Sequence, residues 1–458
     1  MARRIISMLG RQNAVAALLR NGGTAAAPRR SHSRSRSGAA AGPPPSSAER
    51  GGRPLSPLDM VFWSLAAPPA PDPMTFGFWA RIEGSPPALK EFAGTVRRRL
   101  APLEILRYSL APSSGRPQWI ALPGFDPAAH VSARVAAAGE AGLRARLAEL
   151  LAQNLPLSGR PPWRIDLVEG YSEDEFTVLV RTHHALMDGV SNAHVLQRLL
   201  DRDGAQPLPE CGAAPTLREV TRRERLAVTG ASLPSIGRSS LTGPPGQGRH
   251  LAWATLPRAA MERARTGGAT LNDVYLALVA GALSRTLGPD AARAVRHISV
   301  PSDVRAPGGL LQLGNGASPF RIEPPLGRHR LGERIQAVRE RTARAKHGDL
   351  AAAVAANGAS AAARGRRVQA PAARYMTGGA YADVICSNTP IPPGAHTWHG
   401  RAVLGIYGTT LVSPSTGLGI MLHGHGEDVT ISVYADSRQA RFADRLADAI
   451  TEEAASLP

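Results

Sequence analysis

The chain has 458 residues and a formal net charge of +18 at pH 7, from 54 Lys and Arg against 36 Asp and Glu. That length supports several domains and a large core, and a composition of 43% apolar and 20% charged residues excludes a wholly disordered chain. The charge raises a nucleic-acid reading that its distribution makes minor: residues 1–53 carry ten arginines and one acid, Glu49, which is half of the net charge.

In chain order, Ile5, Ile6, Leu9, Val15, Leu18 and Leu19 have the spacing of a short basic amphipathic helix. Residues 29–53 follow with Arg, Ser, Gly, Ala and Pro and no large apolar side chain, so residues 1–53 are expected to be a disordered basic extension. Its composition fits an inert tail, an organelle-addressing segment or a membrane-binding arm. Two globular halves, 54–200 and 251–458, are expected on either side of a connection, 201–250, that holds six prolines and seven glycines. Within the connection, 216–228 reads as a crossing helix.

In the first half, Trp163–Val168 and Phe176–Arg181 read as strands, the second (FTVLVR) rich in aromatic and β-branched residues, and Ser191–Leu200 as a helix. In the second half Thr270–Leu287 reads as a helix with Thr270 as its N-cap, stopped by Gly288-Pro289. Strands are expected at His297–Val300, Leu418–His423 and Val429–Tyr434, the last alternating apolar and polar residues, and an Ala-rich helical segment at 345–374. Strands alternating with helices in both halves give an α/β class. The longest apolar run, 271–283, is interrupted by Asn272 and Asp273, so no transmembrane helix is expected. Two cysteines, Cys211 and Cys386, fit a reducing, cytoplasmic compartment.

The stretch 181–191, RTHHALMDGVS, carries the chemistry. Two adjacent histidines close a strand, Asp188 follows four positions after His184, and Gly189 comes next, suited to a tight turn with positive φ. Adjacent side chains in extended backbone point to opposite sides, so only one of His183 and His184 faces a substrate. A neutral imidazole at cellular pH can take a proton from a hydroxyl without a metal or a protein nucleophile. A hydrogen-bonded histidine pair in a turn, or a metal site with His423 and His425 as further ligands, are the competing readings.

HHALMDG resembles the HHxxxDG pattern of CoA-dependent acyltransferases and condensation domains. The flanking blocks are similar to those of the bacterial wax ester synthase/diacylglycerol acyltransferase family. They are Pro54-Leu55-Ser56-Pro57-Leu58-Asp59 with Phe62, Pro73–Gly77, Gly124-Phe125-Asp126 with His130-Val131, Pro156–Trp163, Asn272-Asp273-Val274, Val300–Arg305, Gly314-Asn315 and Ser387–Pro390. The chain departs from the family pattern at Thr75, around Thr389 and at Leu422–Glu427 (LHGHGE).

The resemblance implies two chloramphenicol-acetyltransferase-like subdomains with the active site in a tunnel between them. It implies transfer of a long-chain acyl group from acyl-CoA to diacylglycerol or a long-chain alcohol, with no cofactor beyond that substrate. By the same pattern His184 is the general base and His183 and Asp188 are supporting. Asn272 is either an oxyanion donor or a helix-start residue bonding backbone, and Asp273 is structural. Water-insoluble substrates imply attachment to a membrane or lipid-droplet surface. Condensation on carrier-bound acyl groups, or an inert lipid- or nucleic-acid-binding module, are the alternatives.

Overall fold

The computed structural model of the chain describes residues 52–66, 74–111, 116–201, 214–234, 239–242, 246, 248–309, 312–327, 330–389, 396–412 and 415–458. Almost all of the basic extension, and Cys211, lie outside the described residues. In chain order the first half contributes β1 (Arg53–Pro54), β2 (Thr75–Glu83), β3 (Tyr108–Leu110), β4 (Gln118–Ala121), β5 (Val131–Val135), β6 (Trp163–Glu169) and β7 (Glu175–His183). The second contributes β8 (Arg249–Pro257), β9 (Ile298–Asp303), β10 (Ala317–Ile322), β11 (Val384–Asn388), β12 (Thr397–Trp398), β13 (Arg401–Gly408), β14 (Leu418–His425) and β15 (Asp428–Asp436).

These strands form two large mixed sheets, one per half, in the orders β12-β13-β2-β7-β6-β5 and β10-β9-β11-β14-β15-β8, beside a small sheet β1-β4-β3. The strand FTVLVR becomes the centre of the first sheet, which is why it is apolar on both faces. Phe176, Val178 and Val180 pack with Phe76, Phe78 and Ile165. Leu179 points the other way, onto Trp79 and onto Leu147 and Leu151 of the helix Gly139–Ala152.

The second sheet is covered on one face by the helices Leu271–Leu287 and Ala440–Ala454. Val274, Leu278, Leu446 and Ile450 meet Leu418, Ile420, Val429, Ile431 and Val433 there. Its other face meets the first half. Leu251, Trp253 and Tyr434 join a cluster with Trp79, Tyr407 and Leu147, in which the Trp79 and Tyr407 rings stack with centroids 5.5 Å apart. The polar members of that alternating strand, Thr430, Ser432 and Tyr434, are buried as well, because their face is the contact between halves.

The second half also completes the first sheet. Residues 397–408 leave it to form β12 and β13, and β13 pairs antiparallel with β2 through a bulge between Val403 and Gly405. The segment 345–374 is helical as expected, in three pieces: Leu331–His347, Leu350–Ala363 and Arg366–Met376. The breaks fall at Asp349 and Gly365, whose φ values of 44° and 89° leave the right-handed helical region. The crossing helix runs Arg222–Ala231, starting later than expected because Thr221 and Glu224 form a capping box and Leu217 is tied to Arg305 as a β-bridge.

Candidate active site

At the end of β7 the chain must turn, and His183 serves that turn. Its carbonyl accepts from Leu186 N (2.9 Å), and its Nδ1 accepts from Ala185 N (3.0 Å). His183 lies opposite Thr75 on β2 and is fully buried, and burial pushes its imidazole down to about 3. The next residue falls on the opposite face, as alternation requires. His184 is half-buried, stacked on Phe62 at 3.8 Å between ring centroids and tilted against Phe76 at 4.8 Å. Burial also holds its imidazole low, at about 4, so the ring is neutral at physiological pH.

One residue from the second half determines which nitrogen of His184 carries the proton. The Asn315 amide nitrogen donates to Asp59 Oδ1 (2.9 Å), to the His184 carbonyl (2.9 Å) and to the Ala185 carbonyl (3.2 Å). Three acceptors around the nitrogen orient the amide, so its oxygen faces His184 Nδ1 at 3.2 Å. Nδ1 must then be the N–H donor, and Nε2 keeps its lone pair. Asp59 is itself buried, and both of its oxygens accept: Oδ1 from Asn315, Oδ2 from Ser56 N (3.0 Å) and Trp119 Nε1 (3.2 Å). Desolvation raises the Asp59 carboxyl above its usual range, opposed by Arg53 and by these hydrogen bonds.

Asp188 makes no hydrogen bond to the imidazole but builds the frame around it. It caps the helix Gly189–Leu199, Oδ1 accepting from Ser191 N (3.0 Å). Its Oδ2 accepts from Gly316 N (2.8 Å) and pairs with Arg305 at 2.9 Å, both side chains about 1% exposed. Arg305 also donates to the Gly314 carbonyl (3.0 Å), Ser191 Oγ (3.2 Å), the Gln312 carbonyl (3.1 Å) and Asp303 Oδ1 (3.0 Å). This pair locks the loop that carries Asn315 onto the helix that follows the histidines. Breaking a buried pair of this kind from one side costs about 3–5 kcal/mol.

Gly189 corrects an expectation. It is the first helical residue and is not among the glycines with positive φ. A Cβ there would lie 3.0 Å from Thr389 Oγ1, so the glycine permits a close approach between halves. Asn272 is not brought into this network. It sits half-buried in the first turn of Leu271–Leu287, on the far side of the second sheet, and its side chain makes no hydrogen bond with a described residue. Its neighbour Asp273 closes a capping box with Thr270 and accepts from Thr342 Oγ1 (2.7 Å).

The histidines of LHGHGE line the seam, separated from His184 by phenylalanines. Phe76 and Phe78 are 6.4 Å apart, and Phe78 lies 5.2 Å from His423. His425 Nε2 is 2.9 Å from the Val403 carbonyl. Among the described residues no group of three or more His, Cys, Asp or Glu is placed to hold a metal ion. Sequence reasoning missed Asn315, Asp59 and Arg305 as parts of the site. All three stand in blocks noted for their order along the chain, yet nothing in their spacing shows that they converge on His184.

Comparison with known proteins adds the following. Residues 55–233 match the model of the wax ester synthase/diacylglycerol acyltransferase catalytic domain, and residues 313–457 match that of the C-terminal domain of the same family. A putative diacylglycerol O-acyltransferase of Mycobacterium bovis is 26% identical over 431 residues, covering 84% of this chain and 91% of the relative. A second from Mycobacterium tuberculosis is 29% identical over 420 residues, covering 79% and 81%. The solved wax ester synthase/diacylglycerol acyltransferase of Marinobacter aquaeolei VT8 superposes with a TM-score of 0.61 at 20% identity, over 88% of this chain and 98% of that one. The first condensation domain of the calcium-dependent antibiotic synthetase does so with a TM-score of 0.58 at 18% identity, over 88% and 98%. At these identities the two structures establish the fold alone: a mixed α/β architecture of two domains.

Proposed function

The chain belongs to the wax ester synthase/diacylglycerol acyltransferase family and is an acyltransferase, and on that premise we propose that His184 is the general base for esterification of a lipid hydroxyl by a long-chain acyl-CoA. The acceptor hydroxyl, of diacylglycerol or a long-chain alcohol, donates to His184 Nε2. As its oxygen attacks the thioester carbon, the proton passes to Nε2 and a tetrahedral intermediate forms. Collapse breaks the carbon–sulfur bond, and the imidazolium returns the proton to the leaving CoA thiolate, so the enzyme ends as it began. No protein nucleophile is needed, because the acyl group arrives already activated.

The observation that supports this reading best is the Asn315 amide, which leaves His184 with Nδ1 protonated and Nε2 basic. Asp188 and Arg305 hold the surrounding loops and are positioning residues. The lipid nature of both substrates places the enzyme at a membrane or lipid-inclusion surface. No helix among the described residues is long and apolar enough to cross a membrane. The test is CoA release by the purified full chain given long-chain acyl-CoA with diacylglycerol or hexadecanol, followed by identification of the ester. His184→Ala is expected to abolish release, and release unchanged in that variant would overturn the assignment. Activity lost to a chelator would instead support the metal reading.

A further inference from the structure

We propose that the outer face of the helices Arg222–Ala231, Leu350–Ala363 and Arg366–Met376 docks on an anionic lipid bilayer surface. The proposal rests on the lipid-substrate reading only for its purpose. The binding itself follows from this face.

The three helices are one packed unit. Val228 packs with Ala353 and Val354, Arg225 donates to Asn357 Oδ1 (3.1 Å) and Ser360 Oγ (2.6 Å), and the Tyr375 hydroxyl donates to the Ser232 carbonyl. From Leu350 to Ala382 the sequence has no acid, and Arg364, Arg366, Arg367 and Arg374 lie in it. Arg222, Arg223, Arg364, Arg367 and Arg374 are exposed, and none forms an ion pair with a described residue. The nearby acids are partly engaged: Glu224 caps its own helix and Asp349 pairs with Arg218 at 3.0 Å, while Glu219 is exposed.

Among these arginines stand Leu226 and Leu233, 53% and 58% exposed, two of five exposed large hydrophobics among the described residues. Arginines with protruding leucines match an anionic headgroup layer over hydrocarbon. A nucleic acid would satisfy the arginines and leave the leucines in water. The face also adjoins the site. Both Ala- and Arg-rich helices pack on Pro57–Ala66, where Arg366 lies 5.4 Å above the Trp63 ring and the preceding residue, Phe62, stacks on His184.

The test compares the full chain with two variants, Arg222→Gln/Arg223→Gln and Leu226→Ser/Leu233→Ser, by co-sedimentation with phosphatidylcholine vesicles with and without phosphatidylserine. The arginine variant is expected to lose about 30-fold in partition onto the anionic vesicles, the fold-change for about 1 kcal/mol per arginine, and the loss should shrink at high salt. The leucine variant is expected to lose binding to the same vesicles at any salt. Acyl transfer to detergent-dispersed acceptor should be unchanged in both, which shows that fold and site are intact. If that activity is missing from the parent as well, the enzymatic reading fails while the docking result still stands or falls on sedimentation. Parent-level vesicle binding by both variants would overturn the proposal. So would duplex DNA binding that drops with the arginine variant while vesicle binding does not.

Discussion

Replacing Asn315 with Ala removes a side chain of the second half that bonds the His184 imidazole. In the folded protein the two N–H groups of the amide are shared among three acceptors, Asp59 Oδ1 and the carbonyls of His184 and Ala185, and the amide oxygen accepts from His184 Nδ1. Asp59, Asn315 and Ala185 are buried, so their former partners are left in a site with little room for water. A buried group left unpaired costs about 1–3 kcal/mol, and a charged one more. With part of this recovered by relaxation, Asn315→Ala should lose about 3 kcal/mol of stability or more, read as a drop in urea midpoint at constant slope. Freed from its acceptor, the imidazole populates the tautomer with Nε2 protonated, in which the atom facing the substrate is no longer a base. A hydrogen bond of about 1–3 kcal/mol that selects the tautomer corresponds to a kcat loss of about 5- to 150-fold with KM for acyl-CoA little changed. Steady-state CoA release at a temperature where the variant is still folded separates this from unfolding. A folded Asn315→Ala enzyme with the parent kcat would refute the tautomer argument.

Three further outcomes follow from the same geometry. Asp59→Asn should lower kcat about 10-fold or more in the same assay, because both Asp59 oxygens accept and an amide must turn its NH2 toward either Asn315 or Trp119 and Ser56. Asp188→Asn should destabilise by about 1–3 kcal/mol, because an amide cannot accept through both of its atoms from Ser191 N, Gly316 N and Arg305, which keeps Asp303 as its remaining carboxylate, and adding Arg305→Met should recover part of that loss in denaturant unfolding. A double variant no more stable than the single one would show that the ion pair is not the cause. Burial holds His183 and His423 at about 3 and His184 and His130 at about 4, against 6.5 for the free side chain. The unfolded chain binds more protons in that window, so this stability is complete above pH 6.5 and is lost as pH falls toward 4, by about 1.4 kcal/mol per pH unit per histidine. Unfolding free energies measured at about pH 7 and about pH 5 check it, and equal values would contradict it.

The local signals along the chain proved sufficient for several elements. The strands around 163–168, 176–181 and 429–434 formed, with observed bounds of Trp163–Glu169, Glu175–His183 and Asp428–Asp436. The helix Leu271–Leu287 begins at Thr270, because a hydroxyl that bonds the third backbone N–H of its own helix needs no distant partner. Alternation along the backbone was enough to put His183 and His184 on opposite faces before any neighbour was known; which of them would face a substrate came only from the family pattern.

Everything that depends on residues far apart in the chain needed the tertiary structure. Asn315 reaches His184 across 131 positions, and Asp59 reaches Asn315 across 256. Arg305 finds Asp188 only because β9 ends beside the helix that follows the histidines. The +18 divides the same way. Its concentration in residues 1–53 is plain from the sequence. Which of the further arginines stand exposed, and that Leu226 and Leu233 stand exposed as well, is decided by helix packing, since a linear sequence records charge but not which way a helix turns it.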